Sequence, residues 1–415
     1  MERERQGQKP QPRQDGLIVL NQVLRHAPGL VEASRAIEVE IVPARECRTL
    51  AGQWRMLEPR ADGSFYLTWL WIGSWLAELP AEIEPLCLRA RCGGETVGLA
   101  LLTPRPARRH GIIASRELYL HATGDARFDQ LTIEYNDFLV DRRLAEPVRR
   151  AMMAALAERS GLWDELLLDG IVPALGRHAA ALDGRLLLRY RSRYPYFDFA
   201  ATGGADCIEG LGRNTRHQIR RTQRLCGDPK LEIATNGVAA AVFFDGLTQQ
   251  HTALWESRGK PGAFSNEFLL AFHRRLIAHG VPRGLVQLLR SRAGDGGIMG
   301  HLYNFVHRGR VCSYQSGFAR YADKRVKPGL LSHYLAMEMN RRAGQRCYDF
   351  MAVDMRYKRS LSNREAEMIW VTVQRPALRF TIEHGVRLAK RQVARGCERA
   401  LRLAGVQRPS PSRRS

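Results

Sequence analysis

The chain has 415 residues, of which 45% are hydrophobic and 8% aromatic. This length suggests two or three domains, and the composition is that of a globular protein, which excludes a fibrous or wholly disordered chain. Lys and Arg number 64 against 42 Asp and Glu, so the formal net charge is +22. A charge of this size concerns partners and not fold, and it fits nucleic acid, an anionic membrane or phosphorylated small molecules. An arginine-rich composition spread along the chain explains it equally well.

The eight cysteines include no C-x-x-C pair, and none lies beside a histidine at metal-ligand spacing, so no metal site is predicted. Cys87, Cys312 and Cys347 lie in apolar strand-like runs, which is typical of small buried residues in a reducing compartment. The apolar stretch 16–24 is too short and interrupted for a secretory signal. These features together predict a cytoplasmic protein.

The first half of the chain begins with a polar tail, residues 1–35, which we expect to be disordered. Residues 36–195 then predict a domain with a strand (EVEIVP), a helix from Ala44 and an aromatic helix near residues 69–75. A strand pair turned at Gly93–Gly94, the strand ELYLHATG, a helix near residues 144–159 and the strand DELLLDGI follow.

The aromatic segment, residues 65–79 (FYLTWLWIGSWLAEL), is the most membrane-like window in the sequence. It is shorter than the roughly 20 apolar residues that a transmembrane helix requires. A buried core helix is therefore predicted, and a surface that faces a membrane or a partner is the alternative.

The second half, residues 196–376, predicts the same order of elements again. A basic helix at residues 213–224 precedes the strand KLEIATN, two helices and the strands GLVQLLRSR, GIMGHLYNFV and RVCSYQSGF, and then the helix LLSHYLAMEMNRRAG and the strand CYDFMAV. A basic helix at residues 377–404 and a disordered tail at residues 405–415 complete the chain. The repeated order predicts an α+β fold of two tandem mixed sheets flanked by helices, with a break near residues 190–215.

A candidate phosphate-binding segment lies between a strand that ends at Ser316–Gly317 and a helix that begins at Pro328–Gly329. Backbone N–H groups at a helix N-terminus carry partial positive charge and lack intrahelical partners, so they bind phosphate. Arg325 and Lys327 precede this helix and would add charge-assisted hydrogen bonds. An ordinary strand–loop–helix connection with solvated charges is the alternative.

This segment resembles the GNAT superfamily, and more narrowly the CelD/BcsL-type acetyltransferases of cellulose biosynthesis. The residues that carry the resemblance are Ser316, Gly317, Pro328, Gly329, Asp349, Phe350, Tyr357 and Lys358. The chain departs from the family pattern in two places: no second glycine follows Gly329, and Val353 stands where the family has a glycine. The resemblance implies an acyl-CoA donor, acetyl-CoA above all, held by Ser316, Gly317, Arg325, Lys327 and Gly329.

The resemblance also implies catalytic roles. The strand Cys312–Gly317 would donate a backbone N–H to the thioester carbonyl, and Tyr357 would protonate the leaving thiolate. Asp349 and Asp354 would deprotonate or orient the acceptor, and Lys358 would neutralise developing charge or hold an anionic acceptor. From the residues alone, a half-buried amphipathic position for Tyr357 and a surface charge for Lys358 are the favoured interpretations, and only the resemblance favours a catalytic role.

Two further residues, Asp137 and His301, are candidates for acceptor binding, although a satisfied strand histidine is the commoner role for His301. The first half has Asn136–Asp137 and Asp141 where the second half has its basic loop. We therefore expect only the second half to bind CoA.

The predicted function is transfer of an acyl group to an amine or hydroxyl of a sugar, polysaccharide precursor or other small acceptor. Two alternatives remain open. One is a FemAB-like transferase that takes its donor from aminoacyl-tRNA, which the charge and the basic helix would suit. The other is a non-catalytic GNAT-like scaffold in envelope polysaccharide assembly, for which peripheral membrane contact through the C-terminal helix would be expected.

Overall fold

A computed structural model describes residues 18–19, 36–131, 133–259 and 262–386. The rest of the N-terminal tail, the C-terminal tail and the part of the predicted basic helix after residue 386 lie outside these residues. Within the tail predicted to be disordered, Ile18 and Val19 instead pair with Leu188 and Leu187 as a short strand, so the prediction is wrong at these two positions.

The strands of the described chain join into one mixed sheet. They are β1 (Ile18–Val19), β2 (Ile37–Pro43), β3 (Leu86–Cys92), β4 (Glu95–Arg109), β5 (Ile113–Leu120), β6 (Leu139–Val140), β7 (Glu165–Ile171), β8 (Arg185–Asp198), β9 (Lys230–Ile233), β10 (Val286–Arg292), β11 (Ile298–His307), β12 (Arg310–Phe318), β13 (Cys347–Asp349) and β14 (Arg364–Gln374). The order across the sheet is β2-β3-β4-β5-β7-β14-β8-β13-β12-β11-β10-β9, with β1 paired to β8 and β6 to β4.

The helices are α1 (Leu50–Leu57), α2 (Trp69–Glu78), α3 (Ala145–Glu158), α4 (Pro173–Ala180), α5 (Arg213–Leu225), α6 (Gly237–Glu256), α7 (Glu267–Gly280), α8 (Pro328–Arg342) and α9 (Arg356–Ser360). The chain is helical again at residues 378–386.

The sheet has the same strand pattern when it is followed from either end. Along β2-β3-β4-β5 and along β9-β10-β11-β12 the neighbours are antiparallel. The fifth strand, β7 or β13, is parallel to the fourth. The sixth, β14 or β8, is antiparallel to the fifth, and these two strands pair with each other at the centre. Each half therefore takes its sixth strand from the other half of the sequence.

This exchange corrects one sequence prediction. The α+β class with mixed, helix-flanked strands is confirmed, but two separate sheets with a break near residues 190–215 are wrong, because the sheet is continuous. The predicted boundary between residues 195 and 196 falls inside β8. A strand edge left open is a site for unwanted pairing, and the exchange covers the inner edge of each half with the last strand of the other.

One face of the sheet carries α1, α2, α6 and α7 over a single core shared by both halves. The other face has two cores, one with α3 and α4 under the first half and one with α5 and α8 under the second. The aromatic segment belongs to the shared core: Phe65, Tyr66 and Trp71 are at most 2% exposed, which confirms the prediction of a core helix. Among the described helices, none is long and apolar enough to cross a membrane.

Candidate functional site

Each half of the sheet contains a place where the fourth and fifth strands stop pairing. In the first half β5 pairs with β7 only over Glu117–Tyr119, and in the second half β12 pairs with β13 only over Arg310–Cys312. The gap beyond these pairs is called the first opening in the first half and the second opening in the second half. Backbone groups at such a gap lack strand partners and are available to other groups.

The first opening is closed by Asn136. Its backbone N–H donates to the Gly170 carbonyl at 2.8 Å, and its side-chain Nδ2 donates to the carbonyls of Leu120 and Asp169 at 3.1 and 3.2 Å. His121 Nδ1 lies 2.8 Å from the amide oxygen, and Asn136 is fully buried. One amide side chain thus lies between the two strands and satisfies a carbonyl of each.

The second opening has no such plug among the described residues. Residues 313–318 of β12 have β11 on one side and no strand on the other. The N-terminus of α8 follows this stretch, with Pro328 as its first residue. The Lys327 N–H donates to Thr222 Oγ1 at 3.1 Å, while the N–H groups of Gly329 and Leu330 have no acceptor within the described chain. The strand edge and the helix N-terminus together offer a series of unused backbone donors.

The structure locates the predicted donor-binding residues as follows. Ser316 is half-buried in the open stretch of β12, and Lys327 is the N-cap residue of α8. Gly317 packs against α6, where a Cβ atom would lie 2.8 Å from Gln250 Cβ, so the helix contact alone requires glycine. Arg325 is exposed and pairs with Asp323 at 2.9 Å, which partly offsets its charge. Gly329 lies beside the Phe318 ring, 3.1 Å from an added Cβ.

The predicted catalytic residues divide between the two faces of the sheet. Asp349 ends β13 and contacts the shared core, whereas its neighbours Tyr348 and Phe350 point to the core under α8. Tyr357 packs on the α8 side with those two residues. Because successive strand residues alternate between faces, Asp349 and Tyr357 act in different environments.

Asp349 is the centre of a buried polar cluster. Its carboxylate accepts from Tyr135 Oη at 2.8 Å and from the Met351 N–H at 2.7 Å, and it pairs closely with Arg310. Burial raises the pKa of the Asp349 carboxyl, and the Arg310 cation acts against that rise. An accessible general base would need a free carboxylate oxygen, and both oxygens of Asp349 have partners, so this geometry favours a supporting role.

Lys358 stabilises the turn that follows β13. Its Nζ donates to the Ala352 carbonyl at 2.7 Å and to the Met351 carbonyl at 3.4 Å. The turn is left-handed at Met351 (φ 64°) and at Val353 (φ 71°), and a β-branched residue adopts that conformation only at a cost. Val353 occupies the family's glycine position, and the conformation explains why glycine is usual there.

Tyr357 lies on α9 with its ring stacked on that of His333, at 5.9 Å between centroids and 20° between planes. Burial raises the pKa of Tyr357 to about 12. His333 is one turn into α8, its Nδ1 is 3.2 Å from Tyr348 Oη, and burial lowers its pKa to about 3. Both rings are thus neutral at pH 7, and the Tyr357 hydroxyl keeps its proton.

Three predicted residues lie in other settings. Asp354 is exposed and pairs with Arg359 at 2.5 Å. Asp137 is buried and pairs with Arg149 of α3 at 2.6 Å. His301 is buried under α6, 3.0 Å from Gln250 Oε1, and burial lowers its pKa to about 4. Of these residues, only Asp354 is exposed to solvent; Asp137 and His301 have the contacts of structural residues.

Leu131 and the segment 133–136 of the first half supply a wall of the second opening that the sequence did not reveal. Tyr314 Oη, on β12, donates to the Leu131 carbonyl at 3.2 Å. Glu134 accepts from the Ala352 N–H at 2.8 Å, and Tyr135 contacts Asp349. The only sequence signal near these residues was the Asn136–Asp137 pair, because the contacts to the second half span 183 to 218 residues of sequence.

The basic face of α5 lines an open groove. Arg213, Arg216, Arg220 and Arg224 lie along it, as predicted from their spacing, together with His217 and Glu209. Glu209 pairs with Arg216 at 3.4 Å and with Arg220 at 3.1 Å. In the part of the chain that the structure describes, no group of three or more His, Cys, Asp or Glu side chains is arranged to hold a metal ion.

Residues 213–359 match the family described as Acetyltransferase (GNAT) domain, so the second half contains a GNAT-type domain. Among solved structures, the chain is similar to FemX with 9% identity and a TM-score of 0.50, over 77% of this chain and 95% of that one. A tandem GNAT protein from the clavulanic acid biosynthesis pathway has 14% identity and a TM-score of 0.42, over 82% of this chain and 100% of that one. L-PGS from Bacillus licheniformis has 10% identity and a TM-score of 0.41, over 70% and 85%. A search of curated proteins finds no match.

Proposed function

We propose that this protein is a cytoplasmic acyltransferase of the CelD/BcsL type, which moves an acyl group, acetyl above all, from acyl-CoA to an amine or hydroxyl of a saccharide or similar small acceptor. The donor binds in the second opening. The observation that carries the proposal is the difference between the openings: Asn136 fills the first, whereas the second combines an unpaired strand edge with unused N–H groups at α8. The GNAT match over residues 213–359 covers this same region.

The donor is held by backbone groups at both ends of the opening. The N–H groups of Gly329 and Leu330, with Lys327 beside them, bind the CoA pyrophosphate at the N-terminus of α8. The open edge of β12, residues 313–317, donates to the thioester carbonyl, where negative charge develops during attack. Ser316 and the strand Cys312–Gly317 thus have the donor-binding roles that the resemblance implies.

In the transfer, the acyl carbon–sulfur bond breaks and a carbon–nitrogen or carbon–oxygen bond forms, and the proton of the acceptor ends on the thiolate. A thiol has a pKa of about 8.5, so proton transfer to a thiolate from a phenol with a pKa near 12 is unfavourable in free energy. Tyr357 therefore stabilises the thiolate by donating a hydrogen bond. Asp354, exposed beside Arg359, takes the acceptor's proton and releases it to solvent, from which the thiolate is protonated. Lys358 and Asp349 stabilise the turn that follows β13 by their hydrogen bonds to the backbone of Met351 and Ala352.

Calorimetric titration with acetyl-CoA tests the donor site. Lys327→Glu places a carboxylate where the pyrophosphate binds, and because a hydrogen bond to a charged group contributes about 1.5–3 kcal/mol, affinity should fall roughly 10- to 100-fold. Arg143→Glu makes the same charge change just before α3, the equivalent helix of the first half, and should leave affinity unchanged. Equal affinity in all three proteins would place the donor elsewhere.

Aminoacyl-tRNA-dependent transfer is the second candidate, and the arginine-lined groove of α5 favours it. A thermal-shift comparison separates the two. If acetyl-CoA stabilises the protein and tRNA does not, the acyl-CoA proposal stands. Stabilisation by tRNA alone, lost in Arg213→Ala/Arg220→Ala, would establish the second candidate. If neither compound has any effect, a non-catalytic scaffold would remain.

A further inference from the structure

The last described helix, residues 378–386, presents an apolar stripe to solvent. Leu378, Ile382 and Val386 are spaced four residues apart and are 77%, 57% and 50% exposed. On the opposite side of the same helix, Phe380 is 3% and Glu383 7% exposed. Residues four apart share one helix face, so the solvent-facing side of this helix is apolar. Phe380 and Glu383, on the other side, are buried against the protein.

The orientation of this helix is fixed by polar contacts to the β4–β5 hairpin and to Asp164, the residue before β7. Glu383 lies 3.2 Å from Arg109 and 3.2 Å from His110, and Arg379 pairs with Asp164 at 2.8 Å. The tip of the same hairpin carries Ile112, which is 81% exposed. These contacts hold the apolar stripe in place, and the hairpin that makes some of them carries a further exposed apolar residue, Ile112.

Around the stripe, the acidic side chains are buried and the basic side chains are exposed. The acids are buried, with Glu165, Glu383 and Asp164 side chains 2%, 6% and 11% exposed. The cations lie further out: Arg116 is 48% and Arg379 42% exposed. In the sequence after residue 386, nine Lys or Arg residues accompany one acid, Glu398. The surface that faces solvent is therefore apolar and positively charged.

We propose that residues 378–386 and the tip of the β4–β5 hairpin form a docking face for an anionic lipid bilayer. Exposed apolar side chains enter the headgroup boundary while cations contact anionic headgroups, which is how interfacial helices bind membranes. A second copy of the chain is a poorer occupant, because a symmetric contact would bring the same cations against each other. The predicted membrane-like segment, residues 65–79, is buried in the core, so the bilayer contact lies elsewhere.

Cosedimentation of the full chain with large unilamellar vesicles tests this face. The wild type should bind vesicles of phosphatidylcholine and phosphatidylglycerol, and bind pure phosphatidylcholine weakly. Leu378→Glu/Ile382→Glu should lower the partition coefficient on the anionic vesicles by at least about 30-fold, since burial of the two side chains is lost. The matched control is Val238→Glu/Val242→Glu, which alters an exposed apolar pair at the same spacing on α6 and should bind like the wild type.

Because the whole chain is cationic, the control decides the outcome. Equal losses in both double variants would mean that net charge alone drives binding, and this would overturn the docking face. No binding of the wild type to anionic vesicles would overturn it as well. Sedimentation velocity completes the test: a dimer that Leu378→Glu/Ile382→Glu dissociates would identify a second copy as the occupant. Donor titration is independent of these results, so either proposal can fail alone.

Discussion

The two halves of this sheet have the same strand order, but different residues lie at their openings. At the last paired position of the fifth strand, the first half has Leu167 opposite Tyr119, and the second half has Asp349 opposite Cys312. Asn136 then fills the first opening, while the second keeps its backbone donors unused. The first opening is therefore closed by an amide side chain, whereas the strand edge at the second opening is left unpaired.

The segment between the fourth strand and the next helix shows what the sealed half contributes. In the second half this segment is the basic loop before α8, which lies where a phosphate would bind. In the first half its counterpart carries Glu134, Tyr135 and Asn136, which bind to Ala352, to Asp349 and into the first opening. Residues of the first half thus form a wall beside the second opening.

The largest expected effect tests the polar pair that distinguishes the second half. Arg310→Met leaves the Asp349 carboxylate buried without its cation, which should cost about 3–5 kcal/mol of unfolding free energy in urea. The double variant Arg310→Met/Asp349→Leu imitates the first half, and most of the loss should be recovered. The deficit of the single variant should shrink as pH falls, because a raised pKa lets the folded state bind the proton first.

The exposed pair Arg193–Glu365 on the central strands provides the control, since Arg193→Met should change stability by at most about 0.5 kcal/mol. If the double variant were as unstable as the single one, Asp349 would be required by its other partners and not by Arg310.

The next effect concerns the plug. Asn136→Ala removes donors to two buried carbonyls and the partner of His121, and each unsatisfied buried group costs about 1–3 kcal/mol, so a loss of roughly 3 kcal/mol is expected. Asn266→Ala removes the N-cap of α7 and an exposed hydrogen bond to the Arg127 carbonyl, and should cost about 1 kcal/mol. Equal unfolding free energies for the two variants would show that Asn136 does not close the first opening.

A third effect compares the buried histidines beside the two openings. Burial lowers the pKa of His121 to about 4 and that of His333 to about 3, so both are neutral when folded and take up protons on unfolding below pH 6.5. Stability is then lost as pH falls, by roughly 2 kcal/mol per histidine at pH 5. His121→Gln and His333→Gln should each flatten the dependence between pH 7.5 and pH 5 by this amount, measured by urea unfolding.

The smallest expected effect is on kcat, and it compares a tyrosine beside the second opening with one beside the first. Tyr357→Phe removes one hydrogen bond to the thiolate and should lower kcat about 10-fold, with acetyl-CoA affinity unchanged. Tyr119→Phe makes the same change beside the first opening, where the hydroxyl contacts Glu117, and should leave kcat unchanged. The measurement is release of CoA thiol with an amino-sugar acceptor found by screening. A wild-type rate for Tyr357→Phe would reduce Tyr357 to a packing residue.

Local sequence signals by themselves determined the class of fold, the identity of most elements and the start of α8 after the basic loop. Alternating strands, the Pro328–Gly329 helix start and the apolar segment 65–79 act over a few residues, and each was found as predicted. The buried settings of Cys87, Cys312 and Cys347 followed from their apolar neighbours for the same reason.

Tertiary structure alone decided which strands pair at the centre and which opening stays free. The exchange of β8 and β14 depends on edges that are separated by more than 150 residues, and no local pattern encodes such a pairing. The same holds for single residues: Asp349 and Tyr357 are eight positions apart and face different cores, and Lys358 turned inward to two carbonyls. Asn136 is a buried plug only because the ends of β5 and β7 approach it, which a sequence motif cannot show.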